Sequence, residues 1–133
     1  MKKMLLMGLL LASGSATAET VLVRFGIGQH CVGDTFQMFE PVETLFNDRK
    51  CELPLAHGND MRAYVLRTKT VALKGCWGQL MSGDYLIVDQ TGNQQTVPHQ
   101  AYMQATTNSD GTAKITSSPI KTPEWAKAAG YCP

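Results

Sequence analysis

Four cysteines constrain the fold of this 133-residue sequence more than any other feature. Cys31, Cys51, Cys76 and Cys132 all follow an N-terminal stretch that has the pattern of a secretory signal peptide. An even number of cysteines in an exported chain indicates two disulfides. The sequence does not distinguish the three pairings that four cysteines allow. We favour Cys51–Cys76 with Cys31–Cys132, because this pairing ties the C-terminal tail to the beginning of the domain.

The expectation of export depends on residues 1–18. Lys2 and Lys3 precede an apolar run over residues 4–12, and Ala16-Thr17-Ala18 follows as a small-residue cleavage site. This order is typical of a cleavable signal peptide, and the apolar run is about half as long as a membrane-spanning helix. We therefore expect a single soluble domain over residues 19–133, beginning near Glu19, that is periplasmic or secreted.

The charge balance excludes some classes of partner. Cleavage would remove Lys2 and Lys3 and leave ten Lys or Arg residues against eleven Asp or Glu residues. Such a balance provides no long-range attraction to phosphate backbones or anionic lipid. We therefore expect no nucleic-acid partner, and no membrane span once the signal peptide is removed.

Runs of β-branched and apolar residues predict a mainly β fold with minor α structure. The first strand is expected at residues 20–25, where Gly26 and Gly28 then interrupt the chain. From Met61 onward, strand-like runs alternate with turn residues, and these runs cover residues 62–67, 70–77, 85–88 and 94–97. The sequence therefore predicts a small antiparallel meander or a partly open barrel.

The sequence pattern that predicts strands is weaker on both sides of this meander. We expect a short helix over residues 41–46, with a proline in its first turn, and a loop over residues 47–60. Residues 104–118 are polar, and Asp110-Gly111 marks a turn between two weak strands or within a flexible loop.

The C-terminal segment carries clearer helix signals. Thr122 is expected to cap a short helix that has Pro123 in its first position, and Gly130 is expected to end it. We expect Trp125 on this helix to pack onto the sheet.

Two arrangements could support nucleophilic or metal chemistry. His30 precedes Cys31, and a base beside a thiolate can activate it as a nucleophile. However, neighbouring strand residues point to opposite faces, and an exported cysteine in an even set is usually bridged. We therefore expect Cys31 to form a disulfide. Zinc could bind His30, His57 and His99 together with cysteines. Because their spacing matches no metal motif, we expect exposed loop histidines, no metal and no cofactor.

Paired carboxylates can carry out acid–base hydrolysis. Asp84 and Asp89 bracket one strand, and Glu40 and Glu43 lie near each other at the predicted helix. We expect all four to be solvated surface charges, and we assign no catalytic residue.

Lys74-Gly75-Cys76-Trp77-Gly78 is the most distinctive segment, and it is followed by Gly83, Ile87-Val88, Gly92, Pro98 and Tyr102. This run resembles a pattern in small exported proteins of bacteria and their phages that carry no assigned activity. The resemblance covers roughly residues 51–102. It implies a compact β meander with a buried cysteine and tryptophan, and it implies no catalytic residue.

These observations favour a non-enzymatic interaction module that presents a surface to another protein or to an envelope component. The partner could add a strand to an exposed sheet edge, or contact aromatic side chains if these gather in a surface patch. The candidate contacts are Trp77 and Tyr85, with Tyr64 and Tyr102.

The alternative is a small hydrolase of an envelope polymer, or an inhibitor of one, that uses the loop around His57, Asn59 and Asp60. Its basis is that histidine and carboxylate occur together in a loop, where functional residues concentrate. A phage- or plasmid-borne accessory factor is a further alternative for the biological setting.

Overall fold

The computed structural model describes residues 17–132, so most of the predicted signal peptide lies outside the described residues. The described chain is mainly β, as predicted. None of its helices is long and apolar enough to cross a membrane. Its elements are β1 (Thr20–Arg24), β2 (Thr35–Gln37), β3 (Glu43–Lys50), β4 (Arg62–Arg67), β5 (Ala72–Gln79), β6 (Tyr85–Asp89), β7 (Gln94–Val97), β8 (Met103–Thr107), β9 (Thr112–Ser117) and α1 (Glu124–Ala128), with 3₁₀ turns at Gly58–Asp60 and His99–Ala101.

All strands pair antiparallel in one open sheet with the order β2-β9-β8-β1-β3-β4-β5-β6-β7. The predicted meander is confirmed as β4 to β7, which are neighbours both in sequence and in the sheet. β1 lies between β3 and β8, and β3 pairs with β4, so β1 and β3 together join the meander to the C-terminal hairpin β8–β9. The two edges of the sheet are β2 and β7.

The middle of the sheet is buried on both faces. Val21 and Val23 of β1 belong to one core cluster, together with side chains of β2, β3, β8 and β9. Leu22 points to the opposite face and belongs to a second cluster with Leu45, Tyr64, Trp77, Ile87 and Tyr102. Successive strand residues face opposite ways, so a strand with a core on each side has a continuous apolar run. The sequence Val21-Leu22-Val23 reflects this position.

The meander curls over the second cluster. Tyr85 on β6 and Tyr102 just before β8 are separated by five strand spacings, roughly 24 Å in a flat sheet. Their ring centroids are nevertheless 5.7 Å apart. The sheet therefore closes partly around this core while its edges stay open.

Both favoured disulfides are confirmed. Cys51–Cys76 links the end of β3 to β5, across β4. Cys31–Cys132 ties the loop after β1 to the C-terminal tail. The Cα atoms of each pair are 5.2 Å apart.

The predicted helix over residues 41–46 is wrong, and the predicted loop over residues 47–60 begins too early. Both ranges contribute to β3, which pairs with β1 and β4. The Val42 N–H group donates to the Arg24 carbonyl at 2.9 Å and leads the chain into this strand. Because β3 is buried on both faces at Thr44, Leu45 and Phe46, it lacks the alternation by which an exposed strand is recognised.

The polar region over residues 104–118 forms two paired strands, which is the first of the two alternatives that its sequence allowed. Residues 103–107 and 112–117 form the hairpin β8–β9, with Asp110-Gly111 in its turn. The short helix is confirmed, but Pro123 occupies the capping position and no side chain caps the helix. The expectation that Trp125 packs onto the sheet is wrong, because its side chain is 73% exposed while Ala126 is buried.

Candidate functional site

A cleft of about 850 Å³ lies between the loop after β1 and the C-terminal segment, defined as residues 118–132. Residues just before and at the start of β8 complete its lining. Four large apolar side chains that line this cleft remain exposed to solvent: Val32, Ile120, Trp125 and Tyr131. Exposed apolar side chains gathered in one concave region are typical of a binding surface.

The C-terminal segment is fixed in place by few contacts. Cys132 anchors its end to Cys31, and the side-chain amide of Gln29 donates to both sulfur atoms, at 3.5 and 3.4 Å. Ala126 is its buried residue on α1, and the Tyr131 N–H group donates to the Ala126 carbonyl at 2.8 Å, where the helix ends. One covalent link and one small buried side chain therefore leave the larger side chains free for other contacts.

The opposite wall of the cleft is aromatic and closely packed. The rings of Phe25 and His30 stack with centroids 3.6 Å apart and an interplanar angle of 16°. Phe25 also meets Phe36 edge-on at 5.0 Å. A Cβ atom at Gly26 would lie 2.8 Å from the Val42 side chain, so a larger residue here would displace Val42 just before β3. The stacked rings of Phe25 and His30 therefore form one packed wall of the cleft.

A buried carboxylate lies beside the end of β1, on the face of the sheet that carries the second core cluster. Arg24, the last residue of β1, lies opposite Glu43 of β3 in the sheet register, and its side chain is 46% exposed while that of Glu43 is 1% exposed. The Arg24 Nε donates to the Glu43 carboxylate. The hydroxyl of Tyr64 donates to Glu43 Oε1 at 2.6 Å, and that of Tyr102 donates to Oε2 at 3.4 Å. We call these four residues the Glu43 cluster.

The protonation states in the Glu43 cluster are fixed by burial and charge. Burial is the largest cause that raises the pKa of Tyr64, and the hydrogen bond to Glu43 adds to it. Burial also raises the pKa of Tyr102, with the Glu43 charge as the next cause. The hydrogen bond to Glu43 raises the pKa of Arg24. The hydroxyls therefore stay protonated donors, and the Arg24 guanidinium stays charged.

The structure brings the predicted aromatic contacts together in the core rather than in a surface patch. Trp77 is 2% exposed, and its Nε1 donates to the Phe46 carbonyl at 3.1 Å. Tyr85, which is half-buried, meets the Trp77 ring edge-on at 5.2 Å. Tyr64 and Tyr102 are buried in the same cluster. These side chains hold the curled meander together.

The three histidines do not converge. His57 is exposed at a backbone φ of 60°, just before the 3₁₀ turn that contains Asn59 and Asp60, and it does not line the cleft described above. His30 stacks on Phe25, and His99 Nδ1 lies 3.6 Å from Asp84. Between residues 17 and 132, no three His, Cys, Asp or Glu side chains form a group that could hold a metal ion.

Cys31 is bridged and is therefore no nucleophile. We expected four carboxylates to be solvated on the surface. For Glu43 this expectation is wrong, because its side chain is buried in the Glu43 cluster. Glu40 accepts the Gln37 N–H group at 3.1 Å. Asp89 accepts the Thr91 N–H group at 2.8 Å, and its bond from the Thr91 hydroxyl is the main cause that lowers its pKa.

Sequence reasoning missed Arg24 and Glu43 as a pair, and it missed the cleft. The available signal was a charged residue next to each of two buried strands, since Arg24 ends one apolar run and Glu43 begins another. Their contact depends on the pairing of β1 with β3, which the mistaken helix at residues 41–46 concealed.

No protein-family model, curated protein or solved structure matches the chain. Function is therefore inferred from the residues of the site and their chemistry.

Proposed function

We propose that this protein is exported and works as a non-enzymatic binding module, and that its cleft holds a peptide segment of a partner protein. The observation that carries the proposal is the group of exposed apolar side chains in one concave site, on a segment anchored by Cys31–Cys132. Tryptophan and tyrosine are enriched among the residues that dominate binding energies at protein interfaces. Trp125 and Tyr131 are such residues in this cleft.

The lining favours a peptide over a hydrocarbon chain. Between the apolar side chains it contains neutral polar ones, namely Gln29, Gln100, Ser118 and Thr122. A peptide backbone offers donors and acceptors to such groups. A hydrocarbon chain would cover them without partners, and a buried unpaired polar group costs about 1–3 kcal/mol.

Export is supported by the N-terminal pattern and by the disulfides, which persist in oxidising compartments. Glu19, the expected first residue of the mature chain, already contacts the sheet. Its N–H group donates to Thr107 Oγ1 at 2.8 Å, and its carboxylate accepts Arg49 Nε at 2.8 Å. Cleavage after Ala18 would therefore leave β1 and its contacts intact.

The test of export is the mass and thiol content of the protein recovered from its native cells. We expect a chain that begins at Glu19, lies outside the cytoplasm and has no cysteine that reacts with iodoacetamide before reduction. An uncleaved cytoplasmic chain with reactive thiols would contradict export.

The test of binding is a selection of random 12-residue peptides on the mature protein, followed by affinity measurement with the enriched peptides. We expect Trp125→Ala and Ile120→Ala to weaken binding about tenfold each, as for central interface residues. Phe39→Ala is the control, since Phe39 is a large exposed apolar side chain that does not line the cleft. Enriched peptides that bind all three variants equally would exclude the cleft as the binding site.

A further inference from the structure

We infer that the Cys31–Cys132 disulfide is a redox-sensitive switch for the cleft, which a dithiol reductant opens while Cys51–Cys76 and the sheet stay intact. Reduction releases the C-terminal segment, which carries Ile120, Trp125 and Tyr131 of the cleft lining. The loss of peptide binding that follows rests on the proposed function, whereas the release of the segment can be measured without a ligand.

The C-terminal segment has no hydrogen bond to the sheet within the described part of the chain. Its backbone bonds around α1 join residues 123–131 to one another, and its side-chain bonds also lie inside the segment. The polar contacts that leave it are at the Cys132 sulfur, which accepts from the Gln29 amide and lies 3.8 Å from the His30 carbonyl oxygen. Both contacts lie next to the disulfide. The disulfide is therefore the main link between the end of this segment and the loop after β1.

Burial does little to hold the segment in place. Among residues 118–132, Ala126 is the one that is buried, and burial of one such small apolar group stabilises by about 1 kcal/mol. α1 has five residues, whereas isolated helices shorter than about 12–15 residues are marginal in water. Keeping the segment ordered costs about 1–2 kcal/mol of backbone entropy per residue. Without the disulfide, packing and helix formation are therefore too weak to keep it beside the loop.

The Cys51–Cys76 disulfide, in contrast, is supported by the sheet. The Cys51 N–H group donates to the Met61 carbonyl at 3.0 Å, just before β4. Cys76 is fully buried in β5, where it pairs with Ala63 of β4. Strand pairing therefore keeps these two thiols close together after reduction, and groups that are held close together have a high effective concentration for each other. This disulfide should re-form readily.

Cys132 has no such support once it is reduced. Residues 118–131 then join it to the end of β9 as a flexible chain, for which the effective concentration at Cys31 is of the order of millimolar. Both cysteines line the cleft and are partly exposed, so a thiolate in solution can reach them. Exposed disulfides are the more easily reduced class. Cys31–Cys132 should therefore be reduced before Cys51–Cys76.

The reduction consists of two thiol–disulfide exchanges. A thiolate of the dithiol attacks the sulfur of one cysteine and breaks the S–S bond, and the other cysteine leaves as a thiolate that takes up a proton. The second thiol of the reductant loses its proton and attacks the mixed disulfide, which releases the first cysteine to be protonated in turn. Two electrons thus pass from the dithiol, which becomes a cyclic disulfide, to Cys31 and Cys132, which become thiols.

The order of reduction is measured on a chain of residues 19–133 in mixtures of reduced and oxidised dithiothreitol. Iodoacetamide traps the free thiols, and mass spectrometry of the digested chain identifies them. We expect Cys31 and Cys132 to be trapped together at a ratio of reduced to oxidised reagent at least about tenfold lower than Cys51 and Cys76, which corresponds to about 30 mV. Reduction of both pairs at the same ratio would overturn the inference.

Amide hydrogen exchange measures the release of the segment. In the oxidised protein the N–H groups of Ala129, Gly130 and Tyr131 donate to carbonyls of α1 and its first turn. We expect these amides to exchange at least about tenfold faster when Cys31–Cys132 alone is reduced, because the segment then opens locally. The amides of β1 and β3 should keep their rates. Unchanged exchange in the segment would overturn the inference.

The variant Cys31→Ser with Cys132→Ser reproduces the released segment without a reductant. We expect it to exchange as fast as the reduced protein and to bind enriched peptides at least about tenfold more weakly than the oxidised protein. Near-ultraviolet circular dichroism checks that the core around Trp77 is native. The matched control is the reduced chain after reoxidation, which should recover both slow exchange and binding.

The outcomes separate the two proposals. A serine variant whose segment exchanges as slowly as that of the oxidised protein would overturn the switch, whatever it binds. Peptides that bind the oxidised and reduced proteins equally, although the segment exchanges faster after reduction, would overturn the cleft as the binding site and support the release. Faster exchange together with no peptide binding in either state would likewise overturn the proposed function alone.

Discussion

The two tryptophans each lie near a disulfide, but one is buried in the core and the other is exposed to solvent. Trp77, on the meander, is 2% exposed and follows directly on the Cys51–Cys76 disulfide. Trp125, on the C-terminal segment, is 73% exposed and lies near the Cys31–Cys132 disulfide at the same cleft. The sheet curls around the first indole and supplies it with a hydrogen-bond acceptor and an aromatic neighbour. The second is carried by a five-residue helix.

This difference shows that the burial of a tryptophan side chain depends on the strand or helix that carries it, and not on the residue type alone. α1 has room for one buried position, which Ala126 occupies, and adjacent helical residues do not share a face. Trp125 is therefore directed away from the sheet. Trp77 is placed in the core by the long curled sheet, whereas Trp125 is exposed to solvent.

The sharpest test of the comparison is Trp77→Ala, which has the largest expected effect. Removing this side chain leaves a cavity in the second core cluster and removes the hydrogen bond to the Phe46 carbonyl, so we expect the free energy of unfolding to fall by about 3–5 kcal/mol. Urea unfolding of a chain of residues 19–133 measures this loss. A loss below 1 kcal/mol, taken as about the cost of an ordinary substitution, would show that the meander does not depend on this indole.

Alkaline pH should weaken the meander core through its tyrosines. The ordinary pKa of tyrosine is 10.0, and burial raises the values of Tyr64 and Tyr102 above it. Above pH 10 the unfolded chain therefore releases protons that the folded chain retains, and the free energy of unfolding falls by up to about 1.4 kcal/mol per pH unit for each tyrosine. Below pH 9 these residues contribute no slope.

Urea unfolding between pH 8 and 11.5 measures this effect, and Tyr64→Phe provides the comparison. The variant lacks one of the ionising hydroxyls, so its stability should fall less steeply above pH 10, by about 1.4 kcal/mol per pH unit. Parallel curves for the two proteins would contradict the assignment of the slope to Tyr64.

Gly75→Ala tests how closely the meander is packed around Trp77. A Cβ atom at Gly75 would lie 2.7 Å from the Val88 carbonyl oxygen and 2.8 Å from Tyr64 Cδ1. We expect a loss of about 1–3 kcal/mol from overpacking. Gly78→Ala on the same strand is the control, because its nearest neighbour would be 4.0 Å away. Chemical denaturation of both should show no loss for Gly78→Ala, and equal losses would refute the steric explanation.

The meander could be predicted because its information is local. Runs of β-branched residues, glycine turns and alternating faces specify β4 to β7 within short windows of sequence, and the strands at Arg62–Arg67 and Gln94–Val97 have the predicted bounds. β3 could not be recognised in this way. Its buried residues on both faces depend on β1 and β4, which are distant in sequence or follow it.

The site depends still more on distant contacts. Arg24 meets Glu43 through strand pairing, and the C-terminal segment reaches the loop after β1 through Cys31–Cys132. The disulfide was favoured from the sequence, yet the apolar side chains it brings together, Val32 and Ile120 among them, show no periodic pattern. The cleft lies between segments from the two ends of the chain and depends on the whole fold. A local sequence motif therefore cannot predict it.

Trp125→Ala has the smallest expected effect on stability of the variants that compare the two tryptophan regions. Trp125→Ala removes an exposed side chain, and we expect the free energy of unfolding to change by less than about 0.5 kcal/mol, in contrast to Trp77→Ala. Its effect should appear in binding instead. In a Trp77→Phe protein, Trp125 is the remaining tryptophan. When an enriched peptide occupies the cleft, its fluorescence should shift to shorter wavelength, and acrylamide should quench it less. If Trp125→Ala instead destabilises the protein as much as Trp77→Ala, the C-terminal segment belongs to the core, and the distinction between a packed and a displayed tryptophan fails.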